Sequence, residues 1–207
     1  MVELNRFTNR GIDKQELGRK ILHVMIGIGA LILLIYNMVT PLIIFITFVI
    51  CVILSLLSLK FKLPIVSFFL EHFERVEEKG RLPGRGFLFA IVGSLLALQL
   101  FERNIALASI VILIFADPAS YLVGKLFGRT RSFLDNRKNI EGNIAGFIVS
   151  SLLALFFVSP LLAISGSLIA MLFESIIIEI QKIKLDDNLI IPLAAGTTML
   201  LIARFLM

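Results

Sequence analysis

Tryptophan is missing from this 207-residue chain, cysteine occurs once, and histidine and tyrosine occur twice each. With Cys51 alone, an intrachain disulfide and a cysteine zinc cluster are excluded. Its setting within an apolar run reads as a small filler. Lack of tryptophan leaves the interfacial aromatic belt of a membrane protein weak. Several chemical signatures are also missing. There is no GxxxxGK[ST] phosphate loop, no GxGxxG after a strand, no HExxH and no kinase DFG. A Ser–His–Asp set cannot be assembled. Charge is sparse, at 17% of residues.

What fills the chain instead is hydrocarbon. It is 58% hydrophobic, where a soluble domain is roughly 45–50% apolar, and its mean hydropathy is +0.97. The pattern predicts an all-α integral membrane protein, one catalytic domain over 1–207, built as a bundle of about seven transmembrane helices. The expected spans are 21–38, 40–59, 87–101, 105–127, 144–158, 160–178 and 189–206. No repeat or low-complexity linker divides them. No cleavable signal peptide is evident, and the first span reads as an uncleaved anchor.

Charge placement orients the bundle. With the N-terminus in the cytosol, 18 of the 20 basic residues fall inside and only Arg103 and Arg204 fall outside, in keeping with the positive-inside rule. The C-terminus is then outside. External loops are minimal (YNMVT, ERN and VSP), whereas the cytosolic segments 1–20, 60–86, 128–143 and 179–188 are long. Chemistry is therefore expected on the cytosolic face. In the first of these loops, 63–80 predicts an amphipathic interfacial helix, with Val66, Phe69, Phe73 and Val76 on one side and Glu71, Glu74, Glu77 and Glu78 away from them. His72 on its polar side reads as an ordinary surface histidine.

The segment IFADPASYLVGKLFGR, 114–129, places Asp117 inside a span. A carboxylate there costs about 2.5–3.5 kcal/mol at the centre of a helix on insertion scales, which a partner, a metal or water must offset. Pro118 removes a ladder donor and predicts a kink with a freed carbonyl. Asp117, Tyr121, Gly124 and Gly128 fall on one helical face, next to Lys125. The two glycines admit either another backbone or a phosphate. A small-residue packing face with a buried acid is the plainer alternative. Arg129, Arg131, Arg137 and Lys138 follow within ten residues, then Glu141, with Gly142, Gly146 and Ser150 as a small-residue face. Near the N-terminus, Glu16, Arg19, Lys20, His23 and Gly27 share a face that crosses into the first span. They suggest a phosphate-binding corner. Gly166, Ala170 and Glu174 line one side of the sixth span. Asp187 and Asn188 stand where the seventh begins, as site residues or as its cap. This clustering of carboxylates and cations suits metal-assisted transfer between a nucleoside polyphosphate and a membrane lipid.

Four stretches, ELGRKILHV at 16–24, DPASYLVGKLFGR at 117–129, RKNIEGNIAGF at 137–147 and DNLIIPL at 187–193, resemble the polyprenol kinases, the family of dolichol and phytol kinases. The resemblance implies a CTP-dependent kinase that transfers the γ-phosphoryl group to an isoprenoid alcohol, with Mg²⁺ as cofactor. It implies Asp117 and Glu141 as metal ligands, Asp187 as a third, and Arg19, Lys20, Arg137 and Lys138 around the phosphates. Gly124, Gly128 and Gly142 would allow close approach, and Asp117 or His23 would act as base. Where the family often has Lys-Thr before a Leu-Glu-Gly element, this chain reads Lys138-Asn139-Ile140-Glu141-Gly142, so a threonine hydroxyl is missing at that point. Expected partners are CTP and a membrane lipid alcohol, with no nucleic acid, and a homo-oligomer is left open. Two alternatives stand beside this: another CTP-using lipid enzyme (a diacylglycerol kinase or a phosphatidate cytidylyltransferase), and a small membrane transporter.

Overall fold

The computed structural model of the chain describes residues 13–73, 82–131, 139–175, 179–180, 183–184 and 186–206. Among these it has eight helices: α1 (Lys14–Ile35), α2 (Pro41–Ser58), α3 (Pro64–Phe73), α4 (Arg85–Leu100), α5 (Arg103–Phe127), α6 (Ile140–Ala154), α7 (Pro160–Ser175) and α8 (Asp187–Leu206). Between α7 and α8, β1 (Glu179–Ile180) and β2 (Ile183–Lys184) pair antiparallel, Glu179 opposite Lys184. Helices α1, α2, α5 and α8 are long and apolar enough to cross a bilayer, which marks the chain as an integral membrane protein. Helices α4, α6 and α7 are apolar but shorter. A helix is present over Pro64–Phe73, where the interfacial helix was expected. Its predicted continuation to residue 80 lies outside the described residues, as do Glu74, Val76, Glu77 and Glu78.

Local chemistry sets the helix ends. Asp13 caps α1 by accepting from the Gln15 amide at 3.0 Å. Thr40 precedes α2, with Pro41 at its first position, where the missing N–H has no partner to lose. At the other end of α1, Arg103 Nη2 donates to the Ile35 carbonyl at 2.9 Å. That cation, one of the two predicted outside, thus sits where a helix C-terminus favours positive charge. The cap of α8 is Asp186, whose Oδ1 accepts from the Asn188 amide at 3.1 Å, rather than Asp187 or Asn188.

Helix α5 is the axis of the fold. It packs against α1, α4, α6, α7 and α8, and its residues from Ile105 to Ile114 are all buried. It runs through Pro118 without ending. Glycines let the neighbours close in. A Cβ on Gly142 would lie 2.5 Å from the Ser120 carbonyl and 3.1 Å from Gly124 Cα, and one on Gly146 would lie 2.7 Å from the Ala116 carbonyl. The close approach read from Gly124 and Gly142 is therefore backbone to backbone, α5 on α6. Helices α1 and α2, adjacent in sequence, do not pack on one another. Helix α1 rests on α5, α2 on α4, and α3 touches both.

Candidate active site

The antiparallel packing gathers the N-termini of α1, α4, α6 and α8 and the C-termini of α5 and α7 at one end of the bundle. Most sequence-predicted site residues meet there, in three groups.

The first lies between α1 and α5. Lys20 pairs through Nζ with Asp117 Oδ2 and lies 3.8 Å from Glu16 Oε1. Its side chain is 4% exposed against 28% for Asp117. The helical spacing of sixteen, nineteen and twenty explains the rest. Glu16 reaches back over one turn and holds Arg19 in a two-point contact, Nε to Oε2 at 3.1 Å and Nη2 to Oε1 at 2.5 Å. Lys20 Nζ is also 5.9 Å from the centre of the Tyr121 ring. One turn deeper, His23 Nε2 is 3.3 Å from the Leu113 carbonyl. With the proton on Nε2 the ring donates there, and Nδ1 keeps its lone pair. Gly27 continues this face, where a Cβ would come within 2.7 Å of Ile114.

The second group joins α5, α6 and α7 through residues the sequence reading did not single out. Asn143 Nδ2 donates to Ser175 Oγ at 2.7 Å, and Ser120 Oγ donates to Asn143 Oδ1 at 3.4 Å. Ser175 Oγ in turn donates to the Met171 carbonyl at 2.8 Å. Asn139 Nδ2 donates to the Gly124 carbonyl at 2.7 Å. Ser120, Glu174 and Ser175 are buried. The signal available beforehand was the polar atoms themselves, an amide and hydroxyls set in apolar helices that have to find partners. Asp117, Tyr121, Gly124 and Gly128 do not serve one neighbour, as their shared face suggested. Asp117 and Tyr121 turn to α1, whereas Gly124 and Gly128 meet Asn139.

The third group lies between α4 and α8. Asn188 Nδ2 donates to the Gly86 carbonyl at 3.1 Å, and Arg85 Nε is 3.9 Å from Asp186 Oδ2. Neither Arg85 nor Asp186 was singled out from sequence. Asp187 opens α8 beside them.

The residues that follow α5 and those that precede α6 pair with one another. Arg131 and Asn139 form an antiparallel bridge, and the Ile140 amide donates to the Thr130 carbonyl at 3.0 Å. Glu141 clamps this base, accepting from the Thr130 amide at 2.9 Å on Oε1 and 3.3 Å on Oε2. Backbone amides, its own first and then those of Thr130 and Arg129, hold its carboxyl below the usual glutamate range. Lys125, Arg129 and Arg131 are exposed. Arg137 and Lys138 lie outside the described residues.

A three-carboxylate metal centre does not form. Among the described residues no three histidine, cysteine, aspartate or glutamate side chains converge on a common point. Asp117 answers Lys20, Glu141 answers the loop, and Asp187 belongs to the α4–α8 group. A metal that arrives on nucleotide phosphates asks less, one or two carboxylates, and Asp117 meets that smaller requirement.

Relatives were found by sequence. Over 190 residues the chain is 30% identical to an uncharacterized protein of Methanocaldococcus jannaschii, covering 86% of this chain and 89% of that one. It is 27% identical over 143 residues to CTP-dependent diacylglycerol kinase 1 of Saccharomyces cerevisiae, covering 67% of this chain and 49% of the yeast protein. The counterpart in Eremothecium gossypii is 31% identical over 64 residues, covering 31% of this chain and 20% of that protein. The chain thus spans half or less of the length of these two kinases. No protein-family model and no solved structure matches.

Proposed function

We propose, from the premise that this chain belongs to the same family as the Methanocaldococcus jannaschii protein, that it is a CTP-dependent lipid kinase. The observation that carries the reading is the Lys20–Asp117 pair, backed by Glu16–Arg19, at the end of the bundle where most of the described basic residues gather. That end is read as cytosolic, so CTP arrives from the cytosol and the lipid from the bilayer. The similarity to CTP-dependent diacylglycerol kinases supports the nucleotide and the reaction class.

The finer reading is a polyprenol or related isoprenoid alcohol as acceptor. Its hydroxyl oxygen forms a bond to the γ-phosphorus, the bond from that phosphorus to the β,γ-bridging oxygen breaks, and CDP leaves with the electron pair. The hydroxyl proton passes to Asp117 or to Nδ1 of His23. Arg19, Lys20 and the basic loop residues Arg129, Arg137 and Lys138 answer the phosphate charge, which is most of what phosphoryl transfer asks of a protein. Mg²⁺ bound with the triphosphate would supply further charge neutralisation; Asp117 would be its protein ligand in the reading where His23 takes the proton. A second acceptor, diacylglycerol, is favoured by the names of the two fungal relatives.

The test is purified protein incubated with each γ-labelled nucleotide and a panel of isoprenoid alcohols and diacylglycerol. Labelled lipid phosphate with CDP release supports the kinase. Pyrophosphate release would instead indicate a cytidylyltransferase, and flux across liposomes without nucleotide consumption a transporter. Asp117→Asn is expected to lower kcat by about 10²–10⁴-fold, the usual worth of a general base, in protein that still inserts and folds. Normal turnover in that variant would remove Asp117 from the mechanism.

A further inference from the structure

Two cations and two carboxylates meet between α1 and α5. Glu16 holds Arg19 at two points, so the charge on Lys20 is answered chiefly by Asp117. Lys20 is also the enclosed member, with its ion partners among the described residues being Asp117 and Glu16. A polyanion that binds Lys20 competes with Asp117 for its ammonium. Conversely, a carboxylate that holds a lysine ammonium is a poor proton acceptor while it does so, because accepting the proton would forfeit the contact.

We infer that Lys20 is an exchangeable counter-ion: the nucleotide's phosphates draw its ammonium away from Asp117, and that exchange opens the Oδ2 position of the carboxylate to the acceptor hydroxyl. Binding is therefore ordered, nucleotide first and lipid second. The inference rests on the kinase reading above and adds to it a sequence of events and a competition. Helix geometry suits the exchange. Lys20 stands next to Arg19 and one turn from Glu16, so the ammonium can leave Asp117 without leaving carboxylate contact. The four-carbon stem of lysine supplies the reach, and its three donors can turn without repacking the helix.

The competition gives a counterintuitive expectation. Removing the charge of Asp117 strengthens nucleotide binding, because the rival for Lys20 is gone. Metal-free CTP, in excess chelator, is titrated calorimetrically into the full chain in detergent micelles. Asp117→Asn is expected to bind more tightly than the wild type by about 5–150-fold, the usual span of coupling between two sites. Adding Lys20→Met to that variant is expected to erase the gain. Equal or weaker binding by Asp117→Asn, or a gain that persists without Lys20, overturns the exchange.

Wild-type kinetics test the order without any variant. A methyl ether of the accepted lipid alcohol, which cannot be phosphorylated, is expected to inhibit uncompetitively against CTP. Competitive or mixed inhibition against CTP overturns nucleotide-first binding while leaving the kinase standing. Failure of every nucleotide to yield labelled lipid overturns the kinase reading and this inference together.

Discussion

A lysine ammonium buried against an aspartate is destabilising once either partner is removed. Lys20→Met alone strands Asp117 at the edge of the apolar interior and is expected to cost about 3–5 kcal/mol. The double variant Lys20→Met, Asp117→Leu is expected to recover most of that loss, as measured by thermal melting in detergent. Asn143 is the second residue whose loss is felt. Asn143→Leu leaves the Ser175 hydroxyl without its amide donor and is expected to cost about 1–3 kcal/mol, the desolvation of an unmatched polar group. Glu141 carries a pH signature. Its carboxyl titrates below the ordinary value of 4.5 in the folded chain. The clamp on the loop therefore holds fully above that ordinary value and is lost as pH falls through the lower, folded one. The Thr130 amide resonance should report this, with a midpoint below the usual glutamate range, and a midpoint at or above the ordinary value would mean that the clamp is not formed. The residues of the Glu16, Lys20 and Asp117 corner were legible in the sequence because helical spacing aligns charges on α1 and burial demands a partner for Asp117, but that Lys20 is that partner was not. Asn143 and Asn139 were passed over because their partners come from other helices, and pairings between helices leave no periodic trace within any one of them.

Helices in this bundle are distinguished by how much their glycines hide. On α6, Gly142 fronts the backbone of α5 at Ser120, and a carbonyl in a helix cannot step aside. Gly142→Ala is expected to part α5 from α6 and cost about 1–3 kcal/mol. On α1, Gly27 fronts the side chain of the β-branched Ile114 and no backbone, so Gly27→Ala is expected to cost less than Gly142→Ala but more than Gly29→Ala. Gly29 meets nothing within 4 Å, and Gly29→Ala is expected to leave stability unchanged or raise it by up to about 1 kcal/mol through helix propensity. The order of the three melting temperatures checks the packing, and a Gly29 variant that melts first would contradict it. Apolar runs and turn residues announced the helices. Their neighbours were harder to read, since which glycine faces backbone and which faces lipid depends on rotations set by the whole bundle. The glycines near Asp117 illustrate this, because a small face serves a phosphate and a neighbouring helix equally well until the neighbour is known.

At the scale of the molecule, charge asymmetry makes the sharpest prediction. In a Cys51→Ser background, Asn37→Cys is expected to react with a membrane-impermeant maleimide in intact cells. Thr130→Cys should react only after permeabilisation. The reverse pattern would invert the bundle and put its polar end on the wrong side for a cytosolic nucleotide. The asymmetry was readable from sequence because loop charge alone encodes it.

Helices α1 and α2 stand apart, bridged at one end by α3, and α1 carries Glu16, Arg19, Lys20 and His23. One wall of the Lys20–Asp117 corner is therefore backed on much of its outer surface by solvent hydrocarbon rather than by protein. Acyl-chain length and order become, in effect, structural parameters of this protein. Exchanging native lipid for short-chain detergent amounts to altering a packing partner of the helix that holds the lysine.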